Sequence, residues 1–357
     1  MAVKRVPPIG APLDDRAINL VATVLDRFWL RPVSRSGYDG RRAVRAADEP
    51  MTLVLADRRT VARDNDVVAL TFRAPDGGDL PAWQPGGHLD LHLPSGRRRQ
   101  YSLCGDPQDR SRYRIAVRRI PAGGGGSLEM HALSVGDTVT VRGPRNGFPF
   151  VPYPRALYIA GGIGITPILP MVLAAQRLGT DWHFVYCGRN ADTIPFLDEI
   201  ASWDPSRVTI RLDEEHGVPG ADDLLGRTPA RGAVYVCGPP PMIETVRRNF
   251  DRSGAAALHF ERFGAPPVRD GKPFEIELAS SGQVLGVAAD ETLLDALVRQ
   301  RPDTAYSCRQ GFCGTCRVRV LHGTPEHRDS RLTDTERETS MLACVSRSVT
   351  SRLVLDL

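Results

Sequence analysis

Between residues 46 and 150, apolar and polar positions alternate in short runs punctuated by Gly and Pro, a pattern that predicts a series of short strands. Strands are expected over 88–93 and 113–119, and a short helix over 128–133. From 155 to 262 the pattern changes to strands alternating with helices. Residues 155–160, 182–187 and 234–237 read as buried strands, the first followed by a helical pattern through Arg177. A Pro/Gly-rich linker covers 264–273. Beyond it Phe274, Glu275, Ile276, Glu277 and Leu278 alternate as a half-buried strand, with 283–288 as its hairpin partner. Thr292 opens a helix whose core face is Leu293, Leu294, Leu297 and Val298, and 317–321 is the next strand. Residues 1–45 are Arg-rich and irregular except for Ile18, Val21, Leu25, Phe28 and Trp29, which recur at helical spacing and predict a helix packed on the strand-rich unit over 46–150, with a partner- or membrane-contacting helix as the alternative.

A chain of 357 residues suggests two or three domains at roughly 150 residues each. Hydrophobic content of 41% and charged content of 25% are ordinary for a soluble globular protein. The net charge of +4 is small and the arginines are spread along the chain, which argues against a nucleic-acid partner. No apolar run is long enough to span a bilayer, so no membrane contact is expected. The first ten residues lack the apolar core of a secretory signal, and a reduced, cytoplasmic setting is expected for the seven scattered cysteines.

Four of those cysteines carry the strongest chemical signal. Cys308, Cys313, Cys316 and Cys344 are spaced C-x4-C-x2-C with one distant Cys, the plant-type pattern for a 2Fe–2S cluster. Zinc is the rival reading, but structural zinc usually uses two short-spaced dyads rather than a trio and a remote fourth ligand. Gly311 and Gly314 let the backbone wrap closely enough for amide N–H groups to point at sulfur. The spacing allows Cys313 and Cys316 to share one iron with Cys308 beside them.

Two further sets of residues suggest cofactors. Arg99, Tyr101 and Ser102 form R-x-Y-S, able to pair a phosphate, pack on a flat ring and donate to a ring heteroatom. Four glycines, 123–126, precede Ser127 as the expected N-cap of a helix and make a phosphate cradle; a surface strand and a flexible loop are the plain alternatives. Gly162 and Gly164, in G-G-I-G-I-T-P after a strand, would permit a pyrophosphate to approach a helix N-terminus, although Pro167 replaces the third glycine of the usual fingerprint. A plain tight turn is the alternative there. The other two strand ends, Gly188-Arg189 and Cys237-Gly238-Pro239, also carry residues suited to a ligand.

In order, R-x-Y-S, G-G-x-x-S, G-G-x-G-x-T-P, C-G-P, H-F-E-x-F and the cysteine pattern resemble the phthalate dioxygenase reductase and vanillate demethylase reductase family over about residues 50–357. The resemblance implies a flavin-binding antiparallel β-barrel (46–152), a parallel α/β NAD-binding domain (153–263) and a β-grasp ferredoxin domain (274–357), after an N-terminal extension (1–45). It implies FMN held by Arg99, Tyr101 and Ser102, with its phosphate at Gly125, Gly126 and Ser127; R-x-Y-S also occurs in relatives that bind FAD. It further implies Thr166 between the flavin and nicotinamide sites, Cys237 near the nicotinamide, and Phe263 stacked on the flavin. Ser102, Cys237 and Phe263 are the expected catalytic residues. Ala116, Val117, Arg118, Gly124, Pro167, Arg189, Gly238, Pro239 and Met242 complete the expected cofactor-binding set. For the cluster, the resemblance pairs Cys308 with Cys313 and Cys316 with Cys344.

NADH delivers two electrons together, whereas an iron–sulfur cluster takes one at a time; a flavin can do both, which orders the carriers as NADH, flavin, cluster and external acceptor. A plant-type cluster near roughly −400 mV makes that flow uphill from NADH unless an acceptor pulls. A Rieske-type oxygenase or a cytochrome P450 is the expected partner. NADH is expected over NADPH because Arg189 is followed by Asn190, Ala191 and Asp192, with no second cation for a 2′-phosphate. The competing functions are a non-enzymatic zinc module on a nucleotide-sensing domain, and a reductase for an acceptor other than an oxygenase.

Overall fold

A computed structural model describes residues 49–357 except 63, 65, 122–124, 265–267, 302–303, 307, 312 and 330. The N-terminal helical pattern, Gly124 and the middle of the linker therefore lie outside the described residues. The described residues belong to a single unit, Ala46–Leu357.

Period-two burial builds the first sheet. Strand β1 (Met51–Thr60) buries Met51, Leu53 and Leu55 on one side. It is followed by β2 (Val67–Arg73), β3 (Gly87–His92), β4 (Arg98–Ser102) and β5 (Tyr113–Arg118). Helix α1 (Gly126–Ala132) and β6 (Thr138–Asn146) complete this part. The six strands are antiparallel in the order β4-β3-β6-β1-β2-β5. A bridge between Leu103 and Ile115 joins the two edges and closes the barrel. Leu53, Leu70, Phe72, Leu89, Leu91 and Ile115 fill its interior.

The expected Ser N-cap takes a different form. Gly125, at φ 78°, is the residue before α1, and Ser127 lies inside the first turn. Its hydroxyl instead accepts the Ile120 N–H at 3.0 Å. A left-handed φ favours glycine over serine at the cap, which moves the helix start two residues earlier than its apolar pattern suggests.

The second sheet is parallel: β7 (Arg155–Gly161), α2 (Ile165–Arg177), β8 (Asp181–Gly188), α3 (Leu197–Ile200), β9 (Val208–Leu212), α4 (Asp213–His216), α5 (Ala221–Leu225), β10 (Ala233–Cys237), α6 (Pro240–Asn249) and β11 (Ala257–Glu261). Strand order is β11-β10-β7-β8-β9, so the chain reverses direction of progress between β7 and β10. Such a switch point opens a crevice at the carboxyl ends of those strands. Alternate residues feed two cores: Leu157, Ile159, Val185, Val234 and Val236 pack with α6 on one face. On the other face Tyr158, Phe184, Tyr186 and Tyr235 join Val67, Ala69, Ala116 and Phe148 of the barrel. Barrel and sheet thus share one continuous core rather than a thin seam.

The third sheet comprises β12 (Phe274–Leu278), β13 (Gln283–Val287), β14 (Arg317–His322), β16 (Ser340–Leu342) and β18 (Arg352–Leu355), in the order β13-β12-β18-β14-β16. A two-stranded ribbon of β15 (Pro325–Glu326) and β17 (Arg347–Ser348) flanks it, with α7 (Leu293–Gln300) and α8 (Asp334–Arg337). Leu293, Leu294 and Leu297 of α7 pack on Ile276, Leu342, Leu353 and Leu355. Thr292 caps α7 by accepting the Asp295 N–H at 3.1 Å, as the sequence predicts.

One charged residue ties this unit together. Arg347 is only 2% exposed, yet donates to the carbonyls of Glu291, Lys272 and Ala288 and lies over the Phe274 ring at 5.2 Å. Arg347→Met removes the shared donor of three carbonyls and the cation over the Phe274 ring. It is expected to destabilise the cluster-bearing unit by ~3 kcal/mol, read as a lower urea midpoint for loss of iron–sulfur absorption; an unchanged midpoint would refute the role.

Candidate functional site

The cluster loop runs from the end of α7 to β14. Cys308, Cys316 and Cys344 are buried and Cys313 is partly exposed. The Cys308 sulfur is within hydrogen-bonding reach of those of Cys313 and Cys344, and Cys316 of Cys344. The Cys313 thiol is pushed up by Cys308 and by burial, and the Cys344 thiol by Cys308 and Cys316. Four thiols crowded this closely cannot all ionise unless a cationic centre sits among them, which is the chemistry of a metal cage. Backbone N–H groups already point inward: Gln310 to the Cys308 sulfur at 3.3 Å and Thr315 to that of Cys313 at 3.5 Å. The residues present fit a 2Fe–2S cluster.

Cys344 reaches the loop because its neighbours are pinned. The Ala343 N–H donates to the Cys316 carbonyl at 3.1 Å, and the Ala343 carbonyl accepts the Leu294 N–H at 2.8 Å. Register between β14 and β16, with Arg317 opposite Leu342, sets the fourth ligand beside the third.

Around the barrel–sheet junction, Ser102 ends β4 and is 7% exposed. Its hydroxyl hydrogen-bonds the carboxyl of Glu261, the last residue of β11. Part of the Glu261 side chain reaches the surface, but its Oε2 atom is buried without a partner among the described residues. Burial pushes this carboxyl up to about 8, against a smaller lowering by Ser102. In register beside Glu261 stands Cys237, fully buried, whose thiol is raised by burial and then by Glu261. Thr166, 2% exposed, donates to the Ile163 carbonyl at 3.1 Å in the first turn of α2. Phe263 follows β11 and is 48% exposed, available to an aromatic ligand.

Glycines bring the β7 and β10 ends into contact. A Cβ on Gly164 would stand 2.3 Å from the Cys237 carbonyl oxygen, and one on Gly238 2.3 Å from the Met242 methyl. Gly164 and Gly238 thus allow two loops to close on each other. Gly162 differs: its φ is +52° and a Cβ there would meet nothing within 4 Å, so it faces open space where a ligand could lie. Pro167 is buried in α2, Pro239 precedes α6, and Arg189 sits just past β8 with its carbonyl accepting the Glu214 N–H at 3.0 Å.

At the barrel's other end, Arg99 packs so closely on Gly126 that a Cβ there would lie 2.6 Å from its Nε, and Arg97 lies 3.4 Å from the same position on Gly125. Two guanidiniums against a helix start suit a phosphate. Tyr101 is largely buried against the barrel core. Ala116 and Val117 are buried in β5, and Arg118 is exposed at its end. The residues fit a flavin with its phosphate at α1. Arg99 also lies over the Tyr306 ring at 5.0 Å, and Arg309 over the same ring at 5.4 Å, so the flavin motif touches the cluster loop. Gln310 from that loop donates its side-chain amide to the Arg262 carbonyl.

Glu261, Tyr306 and Gln310 are absent from the sequence-derived site. Their meaning arises from tertiary meeting points, although Glu261 lies within the H-F-E-x-F motif and Gln310 within the cysteine loop, where both could have been flagged.

These sites define a flavin- and nicotinamide-binding oxidoreductase with an iron–sulfur module. Family models match in the same order: an oxidoreductase FAD-binding domain at 52–150, an oxidoreductase NAD-binding domain at 158–248, and a 2Fe-2S iron-sulfur cluster binding domain at 276–349. Vanillate O-demethylase oxidoreductase of Pseudomonas sp. (strain HR199) is 39% identical, covering 85% of this chain and 99% of its own. Phthalate dioxygenase reductase of Burkholderia cepacia is 35% identical over 86% of this chain and 97% of its own. The solved structure of phthalate dioxygenase reductase, a modular structure for electron transfer from pyridine nucleotides to 2Fe-2S, superposes with a TM-score of 0.65 at 35% identity, covering 86% of this chain and 98% of that one. An intact self-sufficient cytochrome P450 monooxygenase matches 89% of this chain, with TM-score 0.64 and 33% identity, although the match spans 43% of that longer protein. The chain belongs to the phthalate dioxygenase reductase family. It binds a flavin, a nicotinamide nucleotide and a 2Fe–2S cluster, and it is an oxidoreductase. Among the described residues no helix is long and apolar enough to cross a membrane.

Glu261 gives a pH signature. Folded, its carboxyl keeps the proton up to about 8; unfolded, it releases it near the ordinary value of 4.5. The native state therefore binds the extra proton across that window, and the stability it contributes is lost as pH rises from 4.5 toward 8. Glu261→Gln cannot titrate and should lose less stability than the parent between pH 5 and pH 8. Thermal unfolding at the two pH values checks this, and parallel losses would contradict it.

Proposed function

We propose that this chain is the NADH-dependent reductase component of an oxygenase system. It would use FMN and its 2Fe–2S cluster to deliver single electrons to a Rieske-type oxygenase or a cytochrome P450. The observation carrying this reading is the meeting of all three candidate sites within one stretch. Strand β11 brings Glu261 to Ser102, sits beside Cys237, and continues into Arg262, whose carbonyl receives Gln310 of the cluster loop. When bound, flavin and cluster supply the conversion of a two-electron donor into single electrons.

The protein's own residues then bind, orient and shield. Ser102 and Glu261 would present a hydroxyl and a proton-holding carboxyl to the flavin ring, and Arg97, Arg99, Gly125 and Gly126 would hold its phosphate. Gly162 would admit the nucleotide's pyrophosphate, while Cys237, Thr166 and Met242 form the buried floor beneath it. Phe263 would cover the exposed side of the flavin. Support for FMN over FAD is the family likeness; identifying the flavin released on denaturation distinguishes them. All seven cysteines are free thiols, in keeping with a cytoplasmic setting.

The acidic surroundings of Arg189 support NADH. Glu214 lies against the Arg189 carbonyl and takes a hydrogen bond from Asn190 at 2.8 Å, and Asp192 follows two residues later. A 2′-phosphate there would meet carboxylates. Accordingly kcat/KM with NADH should exceed that with NADPH by at least about 10-fold, some 1.4 kcal/mol of discrimination; equal values would reject the assignment. The function itself is tested by reconstitution: NADH oxidation should couple to product formation only when a terminal oxygenase is supplied. A flavin- and cluster-loaded protein that reduces no oxygenase or P450 would overturn it.

A further inference from the structure

Strand β4 has two faces. Arg99 faces the α1 cradle and the barrel core lies behind Tyr101, whereas Arg98 points the opposite way, opposite His92 of β3. On that second face the cluster loop covers a cleft of about 200 Å³. Its barrel wall is Asp90, His92, Arg98, Arg142 and Arg145, and its other wall is Cys313, Gly314 and Thr315.

Among the described residues, cationic side chains outnumber carboxylates in this cleft. The one carboxylate, Asp90, pairs with Arg145. Neither Arg98 nor Arg142 makes an ion pair among the described residues, and the Arg142 Nε atom is buried with no hydrogen-bond partner there. Burial, then Arg98 and Arg142, lower the His92 pKa, so its ring stays neutral and free to donate. Two guanidiniums facing one cleft, with no ion partner among the described residues, favour an anion between them. The volume is several times the roughly 30 Å³ share of one water molecule, enough for a small oxyanion, and guanidiniums match oxyanion geometry.

We propose that this cleft is a phosphate-type oxyanion site, completed only when the cluster loop lies against the barrel, and that its occupant sets the electrostatic potential at the cluster through Cys313. The site is distinct from the flavin-phosphate cradle at Arg97 and Arg99 and from the nucleotide crevice at Gly162. Cys313 is the one cluster cysteine that is not fully buried, and it forms part of the wall. Negative charge there disfavours adding an electron, whereas the empty cationic pocket favours it. Occupancy therefore lowers the cluster's reduction potential.

The test is a spectroelectrochemical titration of the cluster in the holoprotein, with saturating NAD+ filling the nucleotide site. Inorganic phosphate is added while a bulky sulfonate salt fixes ionic strength. The cluster midpoint should fall saturably, with little movement of the flavin midpoint. In R98Q/R142Q the midpoint should begin below that of the parent and no longer respond to phosphate. R98K/R142K, which keeps the charge but loses the planar fork, should respond only at phosphate concentrations at least ~10-fold higher and supplies the comparison if the glutamine variant fails to load its cluster. A cluster midpoint unmoved by phosphate, a drift that never saturates, or a saturable shift undiminished in both variants would overturn the proposal.

Discussion

Three redox groups can work in series only if the three units that hold them meet over a small area, and a handful of positions at the end of β11 and just beyond it impose that meeting. Glu261 is the hinge of the arrangement. Its carboxyl is committed to Ser102 of the barrel, its backbone is in register with Cys237 of the parallel sheet, and the next carbonyl belongs to the cluster loop through Gln310. The same side chain is held protonated by burial. A neutral acid can rest between two domains where a carboxylate would demand a cation, so the contact requires no buried counter-ion.

The two interfaces differ in kind. Barrel and parallel sheet are joined by continuous apolar packing in which Val67, Ala116 and Phe148 interleave with Tyr158, Phe184 and Tyr235, reinforced by the ion pair of Arg114 with Glu199. That junction is rigid in the way a domain core is rigid. The cluster unit meets the barrel through polar and cation–π contacts, with Tyr306 between Arg99 and Arg309 and the arginine-lined cleft beside Cys313. Contacts of this kind respond to ionic conditions and to bound anions in a way that apolar packing does not.

Most of the chemistry was legible in the sequence because it is written in local spacing. The cysteine pattern, R-x-Y-S and the glycine turn after β7 each combine a turn or strand with residues of defined reactivity, and their order along the chain carries the architecture. Less legible was anything made by the meeting of distant segments. Glu261 looks like one more polar residue in an alternating strand until the barrel covers it, and the Arg98 and Arg142 pair is 44 positions apart in the chain. The start of α1 was misplaced for a local reason: serine is a common N-cap, but the left-handed φ at Gly125 could be seen only in three dimensions. Gly164 shows the same limit from another side, because its packing on Cys237 gives it a role within the protein alongside any approach of a phosphate.

The pinning of Ala343 between Cys316 and Leu294 bears on how the cage is assembled. Three cysteines share one loop, but the fourth arrives only when β16 has paired with β14 and α7 has docked on the segment that follows. A metal entering early would find three thiols on one loop and no fixed fourth. Ligand closure is therefore a checkpoint on the sheet: a loaded cluster certifies that the strand register behind it is right.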